Sequence, residues 1–216
     1  MPIKRSILAL TAVTALASGC VKNGDFDETG GIILTRSICP AVAVPAYTGD
    51  ITLFNPAASR DASAIDVVAN LTNVRSTCDE VAGGTEVAVN ASFTVNARRS
   101  NAQGARDVVI PYFGSMVQGG RVVVSKSISR VNLHFNDGEL RATSTGSASG
   151  SVLRAAATLP EDIRARITRK RKAGDADASL DPLADPDVKA AVQRVSFELL
   201  VGFQLSADQL QYNATR

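Results

Sequence analysis

Alternation of apolar and polar residues runs through most of this chain and is clearest between residues 87 and 97. Val87, Val89, Ala91, Phe93 and Val95 are apolar, and the residues between them are mostly Asn, Ser and Thr. A period of two places successive side chains on opposite faces of a strand. The segment is therefore predicted to be a strand with one buried face and one solvated face.

Similar patterns predict about eight strands in all, joined by turns roughly every ten residues. Hairpin turns are expected at Gly83-Gly84, at Gly119-Gly120 and, most strongly, at Asn136-Asp137-Gly138. Short alternating strands in this number favour a mainly β protein, specifically an antiparallel immunoglobulin-like β-sandwich over residues 32–153. The predicted strands are 40–47, 51–54, 65–77, 87–97, 106–117, 121–135, 140–152 and 197–205.

The C-terminal part has a different pattern, which is typical of helices. Pro160 is expected at the first position of a helix whose last turn holds residues 169–172, with acids at its start and bases at its end as the helix dipole favours. Asp185-Pro186 is expected to cap and begin a second helix. Residues 154–194 are thus predicted to form a helical segment, and residues 195–216 a last strand that rejoins the sheet and a short terminal helix.

The N-terminus has the composition of a secretory signal. Lys4 and Arg5 precede a short apolar run, Ile7–Leu16, and small residues follow up to Gly19. The run is shorter than the roughly 20 apolar residues that a transmembrane helix needs. Residues 1–19 are therefore predicted to be a cleaved signal peptide.

Cys20, directly after those small residues, makes the stretch resemble the lipobox of bacterial lipoproteins. The family usually has Leu three residues before the cysteine, where this chain has Ala17 and places Leu16 one position early. The resemblance implies that Cys20 receives acyl chains, that residues 20–31 are a flexible tether, and that the protein is bound to a membrane through those chains. Val21, which is not Asp, favours the periplasmic face of the outer membrane.

The mature part, from Cys39 onward, is similar to uncharacterised lipoproteins of alphaproteobacterial envelopes. Residues 163–177 and 210–216 carry that similarity. No activity is assigned to this family, so the similarity implies no catalytic or binding residue.

The charge balance bears on which partners the chain binds, and the cysteine content bears on the compartment in which it is found. Without residues 1–19 the chain has 21 basic and 21 acidic side chains, so its balance does not indicate nucleic acid as a partner. Cys39 and Cys78 are the remaining cysteines, and in an oxidising periplasm such a pair is expected to form a disulfide. Two buried free thiols are the alternative.

Catalytic and metal-binding residues are not predicted. His134 is the single histidine and is expected on the solvated face of its strand, while Gly146–Gly150 reads G-S-A-S-G and lacks the nucleophile elbow G-x-S-x-G. Two mature cysteines and one histidine are too few for a zinc site. We therefore predict no cofactor, no metal and no enzymatic activity.

Charged segments near the C-terminus leave two questions open. Asp175–Ser179 begins like a calcium loop, but Leu180 and Pro186 stand where Gly and Glu are required, so the Asp175–Asp187 loop is expected to be a solvated acidic segment. A basic cluster precedes it and could contact an anionic membrane surface, although the neighbouring acids are expected to neutralise it. Its members are Arg164, Arg169, Lys170, Arg171 and Lys172, with Arg166 between them.

Three functions are compatible with these patterns. The first is a lipid-anchored structural or interaction module of the cell envelope, holding a partner protein. The second is a small-ligand-binding lipoprotein that uses a cleft between the sandwich and the helices. The third is a hydrolase that uses a pair of carboxylates, for which the sequence selects no pair.

Overall fold

The described part of the chain contains eight strands and four α-helices. The structure is a computed structural model, which describes residues 36–80, 83–170, 174–176 and 180–216. The strands are β1 (Ala41–Ala43), β2 (Asp50–Phe54), β3 (Ile65–Asp79), β4 (Glu86–Arg99), β5 (Arg106–Gln118), β6 (Val122–Phe135), β7 (Arg141–Leu153) and β8 (Phe197–Phe203). The helices are α1 (Arg154–Ala157), α2 (Glu161–Thr168), α3 (Pro186–Arg194) and α4 (Ala207–Thr215).

The strands form two four-stranded sheets that enclose one core. Their orders are β1-β8-β5-β6 and β2-β3-β4-β7. Neighbouring strands are antiparallel except β1 and β8, which pair in parallel. The prediction of a mainly β protein with two layers is confirmed, and β8 lies between β1 and β5, so residues beyond 153 complete the sandwich.

Side chains from both sheets fill the core as the alternation predicts. On β4 the residues from Val87 to Val95 that were assigned to one face are all buried. On β8, Phe197, Leu199, Val201 and Phe203 are buried in the same way. A period of two therefore identified the inward faces of strands from both layers.

The sheets approach closely where β5 faces β7. A Cβ atom placed on Gly114 would lie 2.8 Å from the Cβ of Ala148, and one placed on Gly150 would lie 2.6 Å from the Cε of Met116. The Cβ of Ala148 is fixed to its backbone, so glycine is needed at position 114 because the opposite sheet occupies the space of a side chain. The Cε of Met116 is the end of a flexible side chain, so a side chain at position 150 would require only that Met116 rearrange.

Cys39 and Cys78 form a disulfide, as predicted, with their Cα atoms 6.1 Å apart. Cys39 precedes β1 in one sheet, and Cys78 lies in β3 of the other. The bond thus joins the two layers of the sandwich.

The helices depart from their predicted limits. The first long helix, α2, begins at Glu161 with Pro160 as its N-cap, and it ends at Thr168 with Arg169 as its C-cap. The predictions that Pro160 is the first helical residue and that Arg169 and Lys170 lie in the last turn were therefore wrong, while residues 171 and 172 lie outside the described residues. Asp185 does cap α3, and the capping box of Ser206 and Gln209 begins α4, as predicted.

A small second core joins α2 to α3, separate from that of the sandwich. Ile163 and Ile167 of α2 are buried against Val188 and Ala191 of α3. Within the described residues, no helix is both long and apolar enough to cross a membrane. The predicted signal peptide, Cys20 and the predicted tether lie outside the described residues.

Candidate interaction surface

Strand β6 is the last strand of its sheet, and much of it is exposed on both faces. The nine residues from Val122 to Arg130 are all exposed, whereas Val131, Leu133 and Phe135 are buried. Its register with β5 is antiparallel throughout, and no strand of the described chain lies on its other side. The backbone N–H and C=O groups along that open side are available for pairing with another strand.

The close approach of the sheets explains why this half of β6 is exposed. Ser127 pairs with Gly114 in the register, and Gly114 lies against Ala148 of the opposite sheet. The buried layer between the two sheets therefore ends where β5 faces β7, and residues 122–130 of β6 extend beyond it. Its inner face carries Ser125, Ser127 and Ser129, which are compatible with contact with water.

Large apolar side chains accompany this open edge. Val122, Val123, Val124 and Ile128 are each more than half exposed. Long exposed apolar edges favour pairing with a further strand, and soluble proteins usually protect them with charges or bulges. Here a bulge at Val124 shifts the register, because Ser125 pairs with Met116 while Val123 pairs with Val117.

Lys126 is the charged residue within the exposed apolar stretch. Its Nζ lies 5.1 Å from the centre of the Phe113 ring on the outer face of the sheet. The ammonium group therefore rests on the neighbouring strand and leaves the backbone edge of β6 uncovered.

Two clefts flank the same end of β6. An inner cleft of about 300 Å³ lies between the sheets, with Val124, Leu153 and Phe197 among its lining residues. A second cleft of about 350 Å³ lies between Val122 of β6 and Arg194 of α3. A strand added to β6 would find recesses for side chains at this end. We call Val122–Arg130 together with these two clefts the β6 edge.

His134 lies at the opposite end of β6, on the solvated face as predicted. Its Nδ1 is 2.9 Å from a carboxylate oxygen of Asp107, and both side chains are more than half exposed. The hydrogen bonds from His134 and then from Asn132 lower the pKa of Asp107. This is an exposed hydrogen-bonded pair across two strands, and it lacks the buried acid that orients the histidine of a catalytic triad.

The predicted basic cluster is partly neutralised within its own segment. Arg164 forms a salt bridge with Glu161, and Arg166 forms one with Asp185. Arg169 and Lys170 are exposed. Arg171 and Lys172 lie outside the described residues, so contact of this cluster with an anionic surface stays a prediction.

Two acids of the Asp175–Asp187 loop are N-caps of helical segments. Asp181 accepts a hydrogen bond from the backbone N–H of Leu183, and Asp185 accepts two from the start of α3. These backbone donors, the N–H of Asp187 first, lower the pKa of Asp185. Residues 177–179 lie outside the described residues, so the expectation of a solvated acidic loop stays a prediction.

One group of metal-type ligands comes together in the described part of the chain. It consists of Cys39, Cys78 and Glu80. The two sulfur atoms are joined to each other, so neither is a thiolate, the form of cysteine that binds metals.

A cavity of about 680 Å³ lies between α2 and the start of α3. Arg166, Arg169 and Asp185 are among the residues that line it. Its position differs from the cleft that the sequence suggested, because it lies within the helical segment.

Comparisons with protein-family models, with curated proteins and with solved structures find no match to this chain. The function is therefore inferred from the residues and the geometry described above.

Proposed function

We propose that this chain is a lipid-anchored protein of the bacterial cell envelope whose immunoglobulin-like sandwich is a non-catalytic interaction module. It is held by acyl chains on Cys20 to the periplasmic face of the outer membrane. The β6 edge is the site at which it binds a partner protein. The observation that carries this proposal is the run of nine consecutive residues exposed on both faces of an edge strand.

The disulfide supports the compartment. Bonds such as Cys39–Cys78 form and persist in oxidising environments, of which the periplasm is one. A signal ending at a cysteine supports the anchor, since several acyl chains together make membrane release negligible.

Strand addition is the binding mode that suits the β6 edge. Backbone hydrogen bonds along an open edge supply affinity, and recesses for alternate side chains supply specificity. The β6 edge has an open backbone side, exposed valines and two clefts at one end. No catalytic group is required for this role.

Photo-crosslinking in intact cells tests the binding site. A photoreactive amino acid at Ser127, on the exposed half of β6, is expected to give a discrete crosslinked protein that mass spectrometry identifies. The same amino acid at Ser92, exposed on the outer face of β4, is the matched control. Equal crosslinking from both positions, or none from Ser127, would contradict the proposal.

Metabolic labelling tests the anchor separately. A palmitate analogue is expected to label the wild-type chain in the outer-membrane fraction, and Cys20→Ala is expected to lose both the label and the membrane association. An unlabelled wild-type chain, or a Cys20→Ala variant that fractionates unchanged, would contradict lipid anchoring.

Small-ligand binding is the second candidate, and the cavity between α2 and α3 favours it. Its volume of about 680 Å³ is within the range of ligand sites, and its lining includes two arginines and two aspartates, Arg166, Arg169, Asp181 and Asp185, which suit a polar metabolite. A metabolite that co-purifies with the wild-type chain and is lost from Arg169→Ala would support this function over the first.

A further inference from the structure

The β6 edge lies in a part of the sequence that has no negative charge. No Asp or Glu occurs between Asp107 and Asp137, which covers nearly all of β5 and β6. Arg121, Lys126 and Arg130 lie along the same stretch, and Arg194 of α3 lines the second cleft. The open edge is therefore cationic over its whole exposed length.

The positive charges and the hydroxyl groups lie on different faces of β6. Lys126 and Arg130 pair with Ser115 and Pro111 in the register, on the outer face. The serines at 125, 127 and 129 pair with Met116, Gly114 and Tyr112, whose positions face the opposite sheet. A strand added here would present alternate residues to a cationic face and to a hydroxyl face.

The inner cleft sets a further requirement at one end of the edge. Val124, Leu153 and Phe197 give it an apolar lining, and Glu86 is the acid beside them. An apolar side chain is thus favoured there, and an acidic one is disfavoured.

We propose that the β6 edge binds an extended acidic segment of a partner protein as an added strand. The acidic side chains face Lys126 and Arg130, and an apolar side chain enters the inner cleft. This inference rests on the proposed function and specifies the chemistry of the partner.

A second copy of this chain fits the edge less well. An antiparallel two-fold pairing that uses the whole stretch from Val122 to Arg130 is centred on Lys126. It would place the two Lys126 ammonium groups directly opposite each other. Like charges in that position are destabilising, whereas an acidic strand gains from the same charges.

Fluorescence anisotropy with two synthetic peptides tests this chemistry on the full chain. The first is a labelled nine-residue peptide in which glutamate alternates with valine and threonine, and the second has lysine in place of each glutamate. We expect the glutamate peptide to bind at least tenfold more tightly and its affinity to fall as the salt concentration rises. Lys126→Glu should weaken this binding by roughly fivefold to tenfold. Arg141→Glu, an equal charge change on exposed β7, should leave it unchanged.

Hydrogen exchange locates the bound peptide. Protection of residues 122–130 on addition of the glutamate peptide is the expected result. Protection confined to α2 instead would place the peptide on the other basic cluster and overturn the inference. Equal binding of the two peptides, or a chain that dimerises and protects residues 122–130 without peptide, would overturn it as well.

The peptide experiment and the crosslinking experiment fail independently. If Ser127 crosslinks a partner in cells while the two peptides bind equally, the acidic specificity is wrong and the proposed function stands. If the glutamate peptide binds as expected while Ser127 crosslinks no partner, the edge chemistry is supported and the proposed cellular function is not.

Discussion

The guanidinium carbon of Arg99 lies 5.2 Å from the centre of the Phe135 ring, and Arg99 is 2% exposed. The guanidinium also donates hydrogen bonds of 2.6–2.9 Å to four backbone carbonyl oxygens. Those carbonyls belong to Ala102, Gly104, Asn136 and Glu139. One side chain at the end of β4 thus holds together the loop before β5 and the turn that connects β6 to β7 of the opposite sheet.

Replacing Arg99 with Leu is expected to lower the free energy of unfolding by about 3–5 kcal/mol, because the four carbonyl oxygens lose their donor at once. Arg99→Lys should recover only part of this loss, since an ammonium cannot span the same set. Arg98→Leu is the control: Arg98 is exposed, and its replacement should change stability by less than about 0.5 kcal/mol. Urea unfolding measures all three, and equal stabilities of the two Leu variants would contradict the assigned role.

Gly114 and Ala148 set the spacing of the two sheets beside the β6 edge. Gly114→Ala is expected to cost about 1–3 kcal/mol of stability, because its new Cβ would lie 2.8 Å from that of Ala148. Adding Ala148→Gly removes the atom in conflict and should restore part of the loss. A double-mutant cycle measures the coupling. Strictly additive effects would show that the close approach is not what requires glycine.

Much of the fold could be predicted because its signals are local. The alternation on β4 and the hairpin turn at Gly119-Gly120 depend on neighbouring residues, and both appear in the structure as expected. The prediction of a hairpin at Asn136-Asp137-Gly138 was wrong, because this turn connects β6 to β7 of the opposite sheet and the two strands do not pair. The end of α2 could not be located in this way. Basic residues continue beyond Thr168, as the last turn of a helix favours, but α2 ends at Thr168. Its two residues that are buried against α3, Ile163 and Ile167, both lie before that point.

The candidate site was harder to predict, since exposure of a strand depends on the other sheet. Val122–Arg130 resembles an ordinary half-buried strand in sequence, and only the contact of Gly114 with Ala148 shows that the dry core ends before it. The role of Arg99 was not predicted, because its partners at 136 and 139 are distant in sequence. The alternation places Arg99 in phase with Val95 on the inward face and Arg98 on the outward face, but it gives no sign of the carbonyl oxygens that the guanidinium meets.

The Cys39–Cys78 disulfide joins the two sheets across a sequence separation of 39 residues. Closing a loop of that length contributes about 4 kcal/mol in the chain-entropy model. Reduction is therefore expected to lower the melting temperature by about 8–16 °C for a chain of this size. Thermal unfolding with and without reductant measures the change. A Cys39→Ser/Cys78→Ser variant should melt at the reduced temperature under both conditions, and a wild-type chain insensitive to reductant would contradict the prediction.

Asp107 and His134 give the β5–β6 pair a pH dependence whose sign follows from the lowered pKa of Asp107. His134 is the larger cause and Asn132 the smaller, and the ordinary value is 3.8. A carboxyl group whose pKa is lower in the folded state stabilises the fold above that ordinary value, and the contribution is lost as the pH falls through the lowered pKa. His134→Ala should therefore raise the pKa of Asp107 towards 3.8, and Asn132→Ala should raise it less. NMR titration of the Asp107 carboxyl carbon measures both shifts, and an unchanged pKa in His134→Ala would show that the histidine does not hold this carboxylate in solution.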